Sequence, residues 1–366
     1  MLSTSKEKSV VGLDIEAGSV AAAEVGSNGT AAVAQTAIAP LDPGVFKEGE
    51  VVDADALAEA LRSLFATHKL SKTVRVGVAN QRVSVRTLRL PLIENPEELD
   101  TAIRFQAQEH LPMPDDQAVI DHQVAARHTN DDGTRSMDVV AVAARRDMLS
   151  TLLSAVRGAG LRPIGIDLSA FAMIRALARE AADPAAAATE PDPNAAPTDG
   201  EYMPTALYCN LGDVTNLAVA RGSTCLFTRI SPFGVEVIAQ RLAERRTLAL
   251  DHARQWLAHV GLERPTFDVE GDAEIVAATR EVLEEGASKL ADELRLSLEF
   301  YGAQEGAPAV ERIVVAGPGT TIPGLIDRLQ SQLGQTFSTA RPSALAQLGD
   351  EAAARLTVSY GLALEE

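Results

Sequence analysis

The stretch Arg312 to Gly324, RIVVAGPGTTIPG, runs an apolar strand into a glycine-rich turn and then a helix. Glycine has no Cβ, so Gly317, Gly319 and Gly324 would let the backbone come close to a nucleoside or a phosphate, which makes nucleotide binding the first chemistry to consider. The same residues would also serve tight strand-to-helix packing with no ligand at all. Their spacing is not the dinucleotide fingerprint, and no GxxxxGK[ST] phosphate loop occurs anywhere in the chain. Two more turns follow apolar strands in a comparable way: GLDIEAGSV at 12–20, with Asp14 near the strand end, and NLGDVTN at 210–216, with Asp213 in the turn itself.

Positioning three such turns requires more than one core, and 366 residues predict two lobes with a cleft between them. Apolar residues make up 46% and aromatic residues 4% of the chain, so the cores are built from Ala, Val, Leu and Ile. The formal charge of −18, with no Lys/Arg cluster, argues against nucleic acid or anionic lipid as a direct ligand. No run of about 18 apolar residues predicts a membrane span, and the polar opening MLSTSKEKS does not read as a secretory signal. A cytosolic protein is expected, reaching a membrane only through a partner. Cys209 and Cys225 read as small core residues, and His252 and His259, on one helical face, lack the companions of a metal site.

Val10–Ile15 and Val20–Val25 predict a hairpin turning at Glu16–Ser19, with 31–38 as a third strand. Leu57, Leu61, Leu64 and Phe65 behind Asp53 have the spacing of a capped amphipathic helix over 53–68, and 74–78 is the next strand. Residues 1–82 thus read as the core of an α/β first lobe. An α+β module is expected over 83–160, with a return to the first lobe over 161–180. The Ala-, Pro- and Asp-rich segment 181–204 has no apolar period and reads as a linker. A second lobe over 205–366 repeats the strand, turn, strand, strand order at 206–211, 216–221 and 224–230. It continues with a helical insertion at about 235–290 and is closed by the strand 312–316 and the helix 324–333.

The order of the three turns, the inserted module, and the segments 89–114, 226–234, 290–301 and 358–364 resemble the actin-like ATPase superfamily. Within it the resemblance is to the PilM family of type IV pilus assembly proteins, relatives of the division protein FtsA. It implies a two-lobed actin-like fold in which the first two turns clasp the phosphates of ATP and the third supports adenosine. On that basis Asp14 would hold Mg²⁺ through water, and Ala17, Gly18 and Ser19 would face the phosphates. Gly212, Asp213, Thr215 and Asn216 would complete the clasp. Gly317, Gly319 and Ile322 would support the adenine, and Glu293 would reach the ribose.

Several positions depart from the family pattern. Glu16 stands where relatives have glycine, Ala21 where a lysine is expected, and Asn210 where the second lobe has an aspartate. The third turn has Gly317-Pro318-Gly319, and DHARQWLAHV carries Arg254, Gln255 and Leu257 in place of an acidic pair and a lysine. A lost positive charge and an added negative one would cost about 1 to 4 kcal/mol per pair at intermediate dielectric. Slow or absent hydrolysis is therefore expected, with any retained nucleotide in a structural role. The resemblance further implies a cytoplasmic scaffold that binds the N-terminal peptide of a PilN-like bitopic membrane protein and links it to the pilus motor ATPases. It also admits a homo-oligomer. The peptide groove would lie between the first lobe and the inserted module, near Phe105, Leu111, Pro112 and Ile164. An FtsA-like filament protein is the first alternative, although the sequence ends GLALEE with no amphipathic helix after it. A small-molecule kinase is the second, with Asp213 as its base.

Overall fold

The structure is a computed structural model that describes residues 9–26, 31–110, 115–130, 132–178, 203–304 and 306–364. The chain begins with three antiparallel strands, β1 (Val10–Ile15), β2 (Ser19–Val25) and β3 (Val33–Pro40), followed by the small hairpin β4 (Phe46–Lys47) and β5 (Glu50–Val51). Helix α1 (Ala54–His68) starts at Asp53, whose carboxylate accepts from the N–H groups of Asp55 and Ala56. Strand β6 (Thr73–Val78) then runs parallel to β1. Next come β7 (Val83–Pro91), α2 (Pro96–His110), β8 (Ala118–Thr129), β9 (Arg135–Arg145), α3 (Arg146–Gly158), β10 (Arg162–Leu168) and α4 (Ser169–Leu177). From residue 203 onward come β11 (Thr205–Leu211), β12 (Thr215–Arg221), β13 (Thr224–Ser231), α5 (Val235–Arg246), α6 (Leu250–Val260), α7 (Ala273–Gly302) and β14 (Arg312–Ala316). The last elements are α8 (Leu325–Leu333), β15 (Phe337–Thr339) and α9 (Asp350–Ala363). Most of the expected linker, up to residue 202, lies outside the described residues.

Two sheets share one plan. The first has the order β10-β6-β1-β2-β3 and the second β15-β14-β11-β12-β13, so each has three antiparallel strands on one side and parallel strands on the other. On the outer face of the first sheet, Val11, Leu13, Val74 and Val76 pack with Leu57, Leu61 and Leu64 of α1 and Leu152 and Val156 of α3. The outer face of the second sheet, with Leu207, Leu217 and Val315, is covered by α5 to α8. Between the two sheets lie α4 and α9, whose Met173, Ile174, Leu356 and Tyr360 share one core with Ala21 and Ala23 of β2 and with Tyr208, Ala218 and Val314. The result is helices, sheet, helix pair, sheet, helices. A separate small core fills the three-stranded sheet β7-β9-β8 under α2, from Leu88, Leu99, Ile103 and Met137.

Two elements sit elsewhere than the chain-order boundaries suggest. Helix α3, expected in the inserted module, packs against α1 in the first core, because its apolar face (Leu149, Leu152, Val156) complements α1. The fold also does not close at α8. Strand β15 and helix α9 follow, and α9 returns to lie on β1 and β2 of the first sheet. It sits so close that a Cβ on Gly12 would collide with the Ser359 carbonyl, and one on Gly361 with the Ala172 carbonyl of α4. Arg75 of β6 donates to the carbonyls of Leu362 (2.9 Å) and Leu364, satisfying acceptors that the helix end leaves free. Among the described residues, no helix is long and apolar enough to cross a membrane.

Candidate functional site

Strands β1 and β11 occupy equivalent positions in the two sheets, so their C-terminal ends, and the turns that follow, point into one cleft. The first turn, 16–19, is closed by the Glu16 N–H donating to the Ser19 carbonyl at 2.9 Å. The second turn, 212–215, faces it. The Gly18 N–H donates to Asp213 Oδ2 across the cleft at 3.3 Å. In the reverse direction the Glu16 carboxylate rests on Gly212, where any Cβ would run into Glu16 Oε1. From below, α6 places the Arg254 guanidinium against Gly18, its Nη2 2.6 Å from where a Cβ would stand. Arg254 also donates to both carboxylate oxygens of Glu236, in the first turn of α5, at 2.9 and 2.7 Å. Arg355 of α9 donates to Ser19 Oγ at 3.3 Å.

This concentrates charge in little space. A cavity of about 30 Å³ remains between the turns, room for a water molecule or two. Asp14, Glu16, Glu48 and Asp213 line it, and among the described residues no Lys or Arg does. Burial and the neighbouring Asp213 charge push the Asp14 carboxyl up to about 7. Glu16 also rises to about 7, through burial and then the Asp14 charge, with Arg355 pulling it back. Burial, Glu16 and Glu236 raise Asp213 well above the usual carboxylate range, against the opposing pull of the Ala17 backbone N–H and Arg254. Two more polar groups face the same cavity. Among the described residues, the buried Asn216 has no partner for either end of its amide, and the buried Ser169 hydroxyl lies near enough to Asp14 to lower its pKa while missing hydrogen-bond geometry.

Asp14, Ala17, Gly18, Ser19, Gly212, Asp213 and Asn216 are thus brought together. Other residues of the expected site have different employment. The Thr215 hydroxyl donates to the Phe233 carbonyl at 2.7 Å. Ile322 is buried in the core beneath the second sheet, and Glu293 of α7 pairs with Arg229 of β13 at 3.4 Å. Gly317 has φ +89°, and a Cβ there would strike Asn210 Oδ1, while one on Gly319 would stand 2.6 Å from Leu211 Cβ. The third turn therefore lies directly on the end of β11, which makes close packing a sufficient reason for both glycines. Glu236, Arg355 and Ser169 carry no signal in the sequence, since only the packing of α4, α5 and α9 brings them to the cleft. Arg254 does stand out there as a departure, and α6 carries its guanidinium against Gly18 of the first turn.

Set against ATP with Mg²⁺, these residues do not fit as they stand. The Gly18 amide already donates to Asp213, Glu16 fills the space over Gly212, and among the described residues no cationic side chain lines the cavity. Among the described residues, no group of three or more Asp, Glu, His or Cys side chains is arranged to hold a metal by itself. The Arg254–Glu236 pair is itself structural. Arg254→Ala is expected to lower stability by about 2 kcal/mol, because it strands the buried Glu236 carboxylate, with the loss moderated by water that reaches the arginine. Chemical denaturation of both proteins at neutral pH checks this, and an unchanged midpoint would refute it.

Away from the turns, Phe105 of α2 is 65% exposed and Ile164 of the edge strand β10 is 51% exposed. Leu111 and Pro112, the other two residues expected at a peptide groove, lie outside the described residues.

Two sheets of equivalent topology, with facing turns at the ends of their first strands and a helix pair between them, define a two-lobed actin-like ATPase fold with an inserted α+β module. Solved structures of that class agree. The chain is similar to EutJ, an ethanolamine utilization protein from Carboxydothermus hydrogenoformans (15% identity, 98% of this chain and 89% of that one, TM-score 0.53). It is similar also to MreB5 of Spiroplasma citri bound to ADP (11% identity, 97% and 94%, TM-score 0.52). A much stronger similarity is to the PilM–PilN type IV pilus biogenesis complex, at 25% identity over 98% of both chains with a TM-score of 0.78. The family model of the type IV pilus assembly protein PilM matches residues 12–366, and the chain belongs to the PilM family.

Proposed function

We propose that this chain is the cytoplasmic actin-like scaffold of a type IV pilus assembly complex. It binds the N-terminal peptide of a PilN-like bitopic membrane protein, and this holds it at the inner face of the membrane and couples that protein to the motor ATPases. The observation that carries the reading is the family match over residues 12–366, together with the likeness to the PilM–PilN complex along the whole chain. The surface supports it. Phe105 and Ile164 leave large apolar side chains open on the two elements expected to flank the peptide groove, and such anchors suit capture of a short apolar segment better than charge does. In this reading the cleft is a degenerate nucleotide site, and the assembly is held by protein contacts.

Capture assays with synthetic N-terminal peptides of bitopic membrane proteins encoded beside this one test the proposal. One such peptide is expected to bind, and replacing both Phe105 and Ile164 with alanine is expected to weaken it at least about tenfold. The melting temperature should stay unchanged, because both side chains are exposed. If no such peptide is retained, the scaffold reading fails. If one is retained equally by the double variant, the groove lies elsewhere.

A further inference from the structure

We infer that Glu16 and Asp213 form a built-in latch that stands where an actin-like cleft receives phosphates, so that the closed arrangement of the two sheets does not depend on a nucleotide. The geometry has the sense of an occupied anion site. A turn that presents successive N–H groups attracts an anionic oxygen, and here Asp213 Oδ2 takes the Gly18 N–H from the opposite lobe at 3.3 Å. The exchange is reciprocal, since Glu16 of the first turn lies on Gly212 of the second, a position that any side chain would close.

The charged groups around the latch come from every element packed against it. Asp14 stands on β1, Glu16 and Asp213 on the turns, Glu48 between β4 and β5, and Glu236 on α5, against Arg254 from α6 and Arg355 from α9. With all of them ionised, five carboxylates oppose two guanidinium groups. Arg254 is engaged by Glu236 and Arg355 by Ser19, so neither is free for an incoming phosphate. A polyphosphate would have to displace two carboxylates tethered to the turns and then bring more negative charge into the same low-dielectric space. The tethered carboxylates act at an effective concentration that a free ligand does not match.

Amide hydrogen exchange on the purified full chain, with and without millimolar Mg·ATP, tests the latch directly. Exchange at 16–19 and 212–215 is expected to be the same in both conditions. Asp213→Ala is expected to speed exchange at Gly18 by about tenfold, the loss of one hydrogen bond. Glu16→Gly is expected to bind Mg·ATP at least about tenfold more tightly than the native chain in calorimetry, since it removes one charge pair at close range. Protection of both turns by Mg·ATP in the native chain would overturn the inference, as would unaltered exchange at Gly18 in Asp213→Ala. Absence of any gain in Glu16→Gly would overturn it too. Should either variant fail to fold, the native comparison decides alone. The outcome is separate from the peptide capture above, which reads the partner groove and can fail or succeed with the latch intact.

Discussion

Gly361→Ala is expected to lower stability by about 3 kcal/mol or more, although it adds a single methyl group to a helix and alanine is the better helix former. Taken alone, helix propensity would make the change stabilising by roughly 1 kcal/mol. Packing reverses the sign. The new Cβ would collide with the Ala172 carbonyl, and the atom it meets is backbone in the middle of α4, so no side chain can rotate away. Relief requires α4 and α9 to separate. These two helices form the layer between the sheets, so the strain spreads to the core shared by Ala21, Tyr208 and Val314 on either side. Gly302→Ala is the matched control. Gly302 ends α7 with nothing within 4 Å of a Cβ, and its replacement is expected to be neutral or slightly stabilising. Denaturant midpoints of the two variants should therefore move in opposite directions or differ widely, and equal midpoints would show that α4 and α9 are not in backbone contact.

The same helix shows where sequence reasoning stops. The two strand meanders are legible because their continuous apolar runs break at Glu16–Ser19 and at Gly212–Thr215, and α1 is legible because Leu57, Leu61 and Leu64 recur on one face behind an Asp cap. Helix α9 has no such face. Residues 356–363 are buried all round, including Thr357, Ser359 and Gly361, because sheets or helices surround them on every side. A helix in that position loses the polar stripe from which amphipathic period is read. The hairpin β4–β5 escapes for a different reason, since strands of two residues carry no period at all. In the cleft, Asp14, Glu16 and Asp213 can be found because each lies at a strand end or in a turn, where motif spacing applies. Their counter-charges, Arg254 and Arg355, come from helices more than 30 residues from any of the three, and only the docking of α6 and α9 makes them neighbours. Glu293 illustrates the reverse case. A helical position compatible with a ribose contact is taken up by Arg229 of β13.

The buried carboxylates impose a direction on the pH dependence of stability, and it runs opposite to that of an ordinary acidic protein. Asp14 and Glu16 rise from usual values near 4 to about 7 in the folded chain. Between those limits the folded state keeps protons that the unfolded chain has released, so stability falls as pH rises from about 4 to about 7, and the raised Asp213 acts in the same direction. Raising a pKa by one corresponds to about 1.4 kcal/mol. The two groups share one field, and Glu16 remains partly reached by water, so the pair is expected to contribute on the order of 3 to 4 kcal/mol, less than two independent groups would. Asp147 works in the other direction. Arg145 and the Met148 N–H hold it down to about 2, so its small contribution, that of a solvent-exposed pair, is present above about pH 4 and disappears below. Asp14→Asn removes one member of the cluster with little change of shape. It is expected to be more stable than the native chain by about 2 kcal/mol at pH 8 and to lose much of the slope between pH 5 and 7. Urea unfolding across that range measures both slopes. A native chain that gains stability from pH 5 to 8 would mean that the three carboxylates are solvated and apart, and that the cleft stands open.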